Sequence, residues 1–539
     1  MINLGLDFGT TNSTLSYIDP DRNTLECYYM DASSTGYIPS FIRYDQTDQS
    51  VEIGASARSS QGDEDYDVLS GFKMLLAEKD TKRLEKHGFV KKTPDECAKD
   101  YIQNLIQTYC NDKQIKQGIH QLVITVPEIW VKEHRHACRE HLKQICQDIH
   151  LPVKRFISEP VAASAYFVYR FFEKNKYWFT GHVLVCDYGG GTLDLSLTRV
   201  EGERILVLEC TGKGHDDTYL GKAGLAFDQA ALLRVYERET QKKLSRTHDK
   251  FLFLMEQFEK QKIERQSDIE KKLSLYLKNK TIDKKVFSVN DMSVMASDLV
   301  KTFDDIIRPD LEQALQAMKT FITAHGVDYS NSDAFRVIMV GGFSNFYLVQ
   351  NTVKHFFHSE TQSDKRFDSC FDRVETALAI AKGAALIAND RVNIDLTCPI
   401  SVGIRVNAVH VDSTTGDLFI TKQDNTILKK GTRLSEYHAP IFSDAIGVTI
   451  DPTKRDTRPV IFLGDDQNRW YIQLEKGLQE LFPNVHEPDN KWQVGFSVNE
   501  DFLFELHAKE LKTNGITKIT PLGDLIERIS GLIIHKEAA

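Results

Sequence analysis

What the 539-residue chain lacks narrows its possible roles first. It has no excess of positive charge. Its 67 lysines and arginines stand against 77 aspartates and glutamates, a net charge of −10. That balance gives no general attraction for nucleic acid, so no nucleic-acid partner is expected. No stretch approaches the ~18 consecutive apolar residues of a membrane-spanning helix, so no membrane partner is expected either. No basic segment leads into an apolar one near the first residue, so no secretory signal is expected. The nine cysteines are odd in number, scattered, and never spaced Cys-x-x-Cys. Free thiols in a reducing, cytoplasmic setting follow as the expectation. The run KEHRHACREH crowds His134, His136, Cys138 and His141 together. On a helix His134 and His136 would diverge, so no metal site is expected there.

The rest of the composition is that of a large globular protein, with 41% apolar and 27% charged residues. Strand-like and helix-like patterns alternate from residue 1 to about 390. The segment LVITVPEIW is an apolar strand closed by Pro127, and EPVAASAYFVYRFF and ETALAIAKGAALIA read as buried helices. After Asp390 the texture changes to short alternating segments separated by turns, the mark of an all-β unit. The expected organisation is an α/β unit over 1–390, a linker over 391–398, a β-sandwich over 399–520 and a short helix over 521–539.

Two stretches of the α/β part match each other. LVCDYGGGTLDLSL (184–197) sets Gly189, Gly190 and Gly191 between Asp187 and Asp194. INLGLDFGTTNSTLSYI (2–18) sets Gly9, Thr10, Thr11 and Asn12 after Asp7, at an offset of 180 residues. A strand that turns through glycine and threonine can present several N–H groups on one concave surface, a nest suited to phosphate. An aspartate before such a nest can hold Mg²⁺ through water. A plain glycine hairpin explains either stretch alone about equally well. Repetition points to two related halves gripping one nucleotide between them. A third glycine signal, VIMVGGFSN (337–345), ends a strand in Gly341 and Gly342, where open α/β sheets bind ligands.

Together these motifs resemble the 70-kilodalton heat-shock chaperone family and, more broadly, the actin-like ATPases. LGLDFGTTNS is similar to the family's first phosphate loop, and LVCDYGGGTLDLSL to its second. FISEPVAASAY is similar to the segment carrying its catalytic glutamate. The order of the motifs matches across residues 1 to 520. The resemblance implies a two-lobed actin-like ATPase domain, a duplicated ribonuclease-H-like fold, followed by a β-sandwich peptide-binding domain. It implies ATP or ADP with Mg²⁺ as cofactors, with K⁺ as a further candidate ion. Asp7 and Asp187 would hold the Mg²⁺ water shell. The backbone of Thr10, Thr11, Asn12, Gly190, Gly191 and Thr192 would cradle phosphates. Lys73, Glu159 and Asp194 would surround the attacking water. From spacing alone Lys73, in SGFKMLL, reads as a solvated helix lysine, and only the resemblance gives it this role. Pro127 and Arg135 match a relay between domains. Arg155 matches the arginine engaged by J-domain cochaperones, and Asp395 the linker aspartate. Extended or unfolded polypeptide is the implied partner.

Departures from the family pattern are specific. Glu259 and Lys262 match the pair that bonds the ribose, but the adenine-stacking arginine after them is Ile263. A second stacking arginine, after the Gly-Gly shelf, is Asn345, and the small residue before it is Phe343. The family's gate is LGKAGLAFD (220–228), two residues longer, which stands against carrying over its nucleotide exchange factor. The linker segment Val392-Asn393-Ile394 is less apolar, and Cys398 adds a residue before Pro399. Only 521–539 remain for a lid, room for one helix of about 30 Å. The leading expectation is a slow Mg²⁺-dependent ATPase coupled to a lidless peptide-binding domain. The rival is a catalytically weak nucleotide-binding scaffold whose β domain serves one dedicated partner. A metabolite kinase and an actin-like filament former fit less well, because neither needs a β-sandwich.

Overall fold

The computed structural model describes all residues except 1, 31–35, 117, 129, 131–135, 214–222, 247–248, 359–363, 371, 399, 412–413, 445, 448–458, 465–468, 475–490, 500–502, 512–516 and 526–539. The chain divides into two compact units, Met1–Ile394 and Asp395–Ala539. The division falls inside the expected linker.

The first unit contains the same sheet twice. In lobe I the strand Ile2–Asp7 pairs antiparallel with Asn12–Ile18, which pairs with Leu25–Cys27. On its other side it runs parallel to Ile119–Val126, and that strand to Val153–Ser158. In lobe II the strand Thr180–Tyr188 pairs antiparallel with Leu193–Glu201, which pairs with Arg204–Lys213. It runs parallel to Phe335–Val340. The central parallel strands carry buried apolar runs, LVITV in Ile119–Val126, VLVC in Thr180–Tyr188 and VIMV in Phe335–Val340, as burial on both faces requires.

Two small-residue helices lie against these sheets, Glu159–Asn175 and Arg373–Ala388. Their backbones touch: a Cβ on Gly383 would run into the Ala162 carbonyl, and one on Gly5 into the backbone of Ala384 and Ala385. The alanines and glycines that marked these helices in the sequence are what permits that approach. Each lobe has its own core. That of lobe I gathers Leu4, Leu6, Ile124, Trp130 and Tyr101, and that of lobe II Leu184, Leu195, Phe227, Phe303 and Phe335.

The strand Asn393–Asp395 extends the lobe II sheet beside Arg204–Lys213. Asn393 N–H donates to Glu203 O at 3.0 Å, and Val392 and Ile394 are buried. The two apolar residues of the linker segment therefore suffice to seat it as an edge strand.

The second unit is a β-sandwich of two antiparallel sheets. One runs Leu418–Leu428, Ser401–Val411, Val460–Gly464, Arg469–Gln473, and the other Ile441–Phe442, Lys491–Val498, Leu503–Glu510, Thr517–Asp524. Val402, Leu428, Ile461, Leu463, Val494, Phe496 and Phe504 are buried in it. Of the residues expected to form a terminal helix, 521–524 belong instead to the last strand. The last strand runs through Asp524, and 526–539 lie outside the described residues. Pro521 sits on an edge strand opposite Glu505, next to a register shift. A missing N–H is tolerated there.

Candidate functional site

The two glycine loops meet. A Cβ added to Gly190 would lie 2.7 Å from Thr11 Oγ1, and one on Gly191 would lie 3.1 Å from Thr10 Oγ1. Loop residues of one lobe thus occupy the space that side chains would take in the other. Gly9, Thr10, Thr11, Asn12, Gly189 and Gly190 keep partial exposure, while Gly191 and Thr192 are buried. Gly9 is required by its own turn, because a Cβ there would collide with Asn12 O. Ser40 braces the lobe I loop: its Oγ donates to Gly9 O at 2.7 Å and its N–H to Thr11 O at 2.9 Å. The lobe II loop is closed by Gly189 N–H on Thr192 O at 3.0 Å. The helix Gly224–Thr240 abuts it, with Gly224 N–H on Gly189 O and Leu225 N–H on Gly190 O.

Beneath the loops lies a buried cluster of charge. Lys73 Nζ is 2.7 Å from Glu159 Oε1, and the lysine is 2% exposed. The expectation of a solvated lysine from spacing is therefore corrected. Gly71, at φ 70°, leads into a 3₁₀ turn over Phe72–Leu75 that turns the side chain inward. The ammonium rests 5.8 Å from the Phe8 ring and 5.7 Å from that of Trp130, two further stabilising contacts for a cation. Glu159 opens its helix after Ser158.

Three aspartates share the site. Burial, then the neighbouring Glu159, pushes the Asp7 carboxyl up to about 7, although the Thr125 hydroxyl donates to its Oδ1 at 3.1 Å. Burial and the carboxylates of Glu159, Asp194 and Asp7 hold Asp187 well above its usual range. Burial and Glu159 do the same to Asp194. Asp194 Oδ1 accepts from Glu128 N–H at 3.0 Å, but its Oδ2 and Asp187 Oδ2 are buried without a hydrogen bond. A buried carboxylate oxygen left so is costly, and a cation with its water shell would satisfy it. Among the described residues no group of three or more His, Cys, Asp or Glu is placed to ligate a metal directly.

The other residues expected to bind nucleotide lie on the helix Asp249–Glu264 and on the shelf that follows Phe335–Val340. Glu259 Oε2 is paired with Arg58 Nη2 of lobe I at 3.0 Å. Lys262 Nζ sits 2.5 and 2.7 Å from the two oxygens of buried Asp228, whose carboxyl burial raises to about 6 against the pull of the lysine. Ile263 is 64% exposed. At the shelf, Gly341 has φ +82° and lies so close to Asp187 that a Cβ would strike it, while a Cβ on Gly342 would meet nothing within 4 Å. Phe343 does not cover the shelf. It is 4% exposed, with its ring 5.1 to 5.5 Å from those of Tyr188, Phe227 and Phe346. Asn345 O accepts from Gln266 Nε2 at 2.7 Å. Ser344 ties the shelf to the lobe II sheet through Cys186 O and Tyr188 N–H.

Of the relay residues, Pro127 is buried at the end of its strand, and Arg155 is half-buried on the edge strand Val153–Ser158. Asp395 ends the strand at the boundary of the units. Arg135, His134 and the first three gate residues, 220–222, lie outside the described residues. Cys138 Sγ bonds Leu76 O, and His141 faces Asp95.

Several functional neighbours escaped the sequence reading: Thr125, Glu128, Arg58, Asp228 and Ser344. Thr125 had a signal, a lone polar residue inside the apolar strand LVITV. Glu128 had one too, a charge directly after the proline that closes that strand; it is 2% exposed.

The family model described as Hsp70 protein matches residues 3–412, most of the chain, including both loops, Lys73, the glutamate helix and the glycine shelf. The chain belongs to the Hsp70 family.

Proposed function

We propose that this protein is an ATP-driven, polypeptide-binding chaperone in which Lys73 and Glu159 position the water that attacks the terminal phosphate. The Hsp70 family comprises ATP-dependent chaperones that bind ATP or ADP with Mg²⁺ and act on unfolded polypeptide. The observation that carries the reading for this chain is the buried Lys73–Glu159 pair, 2.7 Å apart, under two facing phosphate loops. Phosphoryl transfer to water asks for positioning and charge neutralisation more than covalent chemistry. Loop N–H groups of Thr10, Thr11, Asn12, Gly190, Gly191 and Thr192 cradle the phosphates. Asp7 and Asp187 would hold Mg²⁺ through its water shell, and the ion would supply neutralising charge. Asp194 and Glu159 orient the attacking water, and Lys73 meets the developing charge.

The β-sandwich supports a polypeptide partner. Its strand Leu418–Leu428 is the edge of its sheet, and Val460–Gly464 supports the paired strand only over Ser401–Ile404. Past that point the hairpin continues as a two-stranded arm. At its end Val411, Leu418, Phe419 and Ile420 are 48 to 71% exposed. An extended chain can add to such an edge through backbone bonds and lay its side chains on those apolar groups. The nine free cysteines support a reducing, cytoplasmic setting. Contact of a J-domain cochaperone with Arg155 belongs to the same proposal.

The scaffold reading has one observation in its favour: neither Ile263 nor Phe343 supplies a planar group for the base. Single-turnover hydrolysis of Mg·ATP separates the two readings. The wild type should turn over, an unfolded polypeptide should accelerate it, and Lys73→Ala should lose at least about a hundredfold. A wild type that binds nucleotide but matches Lys73→Ala in rate is a scaffold.

A further inference from the structure

Lys73 has more donors than bonds. An ammonium carries three N–H groups. Among the described residues Lys73 uses one of them, on Glu159 Oε1 at 2.7 Å. Two aromatic rings stand beside the other side of the group, Phe8 at 5.8 Å and Trp130 at 5.7 Å. A ring face attracts a cation without accepting a conventional hydrogen bond. The ammonium is thus held near Glu159 while its remaining donors stay free for an oxygen that arrives with the ligand. A carboxylate in place of a ring would engage those donors.

The two rings are fixed differently. Phe8 belongs to the lobe I core, with its ring 6.1 Å from that of Phe72 and 6.2 Å from that of Tyr101. Trp130 belongs to the turn after Ile119–Val126. Its backbone N–H donates to Pro127 O at 3.0 Å, and in the same turn Glu128 N–H donates to Asp194 Oδ1 at 3.0 Å. The indole is fully buried, yet its Nε1 has no hydrogen-bond partner among the described residues. A phenyl ring would avoid that cost. What the indole adds over phenyl is the strongest of the aromatic faces for a cation.

We infer that Trp130 is a positioning residue for hydrolysis, whose ring holds the Lys73 ammonium beside Glu159 and leaves its free donors to the terminal phosphate. This inference rests on the ATPase reading above.

Single-turnover hydrolysis of Mg·ATP by the full chain tests it, beside equilibrium titration with the non-hydrolysable β,γ-imido analogue of ATP. Trp130→Leu should slow hydrolysis by about five- to thirtyfold and leave affinity for the analogue within about threefold of wild type. Trp130→Phe, which restores a ring, should recover the rate to within about threefold of wild type. In a Lys73→Ala background Trp130→Leu should cost nothing further, because a residue that acts through the lysine has nothing left to position. Three results each overturn the inference and leave the ATPase reading standing: Trp130→Leu at the wild-type rate, Trp130→Phe as slow as Trp130→Leu, or an equal loss with and without Lys73. If Trp130→Leu does not bind the analogue, Trp130→Met, nearer in volume and also without a ring, takes its place. Loss of binding in both would make the residue structural and also overturns the inference. A wild type no faster than Lys73→Ala overturns the ATPase reading itself, and this inference with it.

Discussion

Lobe I and lobe II carry the same hairpin, and the hairpins meet the same cleft with different neighbours. In lobe I, Asp7 stands opposite Thr14 across the antiparallel pair and opposite Thr125 across the parallel one. In lobe II, Asp187 stands opposite Asp194 and Val340. A hydroxyl therefore donates to Asp7, while Asp187 has a second carboxylate on one side and an alkyl group on the other. The backbone plan is common to both lobes; the cross-strand neighbours set the charge balance. Lobe II is the half that needs a counter-cation, and lobe I is closer to self-sufficient.

The largest expected effect breaks this asymmetry directly. Asp187→Asn removes a charge crowded by Glu159, Asp194 and Asp7. Turnover should fall by about a hundredfold or more, because a group that neutralises phosphate charge loses its anchor. Without metal the same variant should melt higher than wild type, since one buried repulsion is gone. Asp7→Asn should cost less turnover and raise the metal-free melting temperature less. Melting curves in chelator, beside single-turnover rates, check both. Equal shifts for the two variants would remove the distinction between the lobes.

How much of this was legible in the sequence follows from which contacts are local. The loops were legible because a glycine's position reports a backbone demand made within a few residues, and the offset repeat exposed the duplication. Lys73 was not legible by pattern, because its burial depends on Glu159, 86 residues away, and on a left-handed Gly71. The residues from Glu259 to Ile263 and the shelf residues Phe343 and Asn345 were legible only as departures from the family pattern. That Phe343 turns inward depends on Phe227 and Phe346 being there to receive it.

A second, smaller contrast lies in the aligned glycines. Gly9 and Gly189 stand at the same place in the repeat, yet a Cβ on Gly9 collides with Asn12 O and one on Gly189 meets nothing within 4 Å. Gly9→Ala should cost about 1–3 kcal/mol of stability, the range for forcing atoms into filled space. Gly189→Ala should stay within about 0.5 kcal/mol of wild type. Urea unfolding of the two variants sharpens the comparison, and similar midpoints would show that the loops differ in sequence but not in tightness.

The smallest effect tests the single hydroxyl that separates the two aspartates, and pH reveals it. Asp7 has a folded pKa of about 7, above its value in the unfolded chain. Between those values the folded protein holds a proton that the unfolded chain has released. The contribution of Asp7 to stability is therefore complete at pH below the unfolded value and is lost as pH rises through about 7. The Thr125 hydroxyl limits that loss, because its 3.1 Å bond favours the charged form. Thr125→Val keeps the shape and removes the donor. At pH 5, with Asp7 protonated, wild type and variant should melt close together. At pH 8 they should separate by about 0.5–1.5 kcal/mol, the usual net worth of one hydrogen bond. Melting temperatures of metal-free protein across that range decide the matter. A gap that stays constant with pH would mean that the Thr125 bond does not depend on the charge of Asp7, and that the contrast with Asp187 must come from Val340 and Asp194 alone.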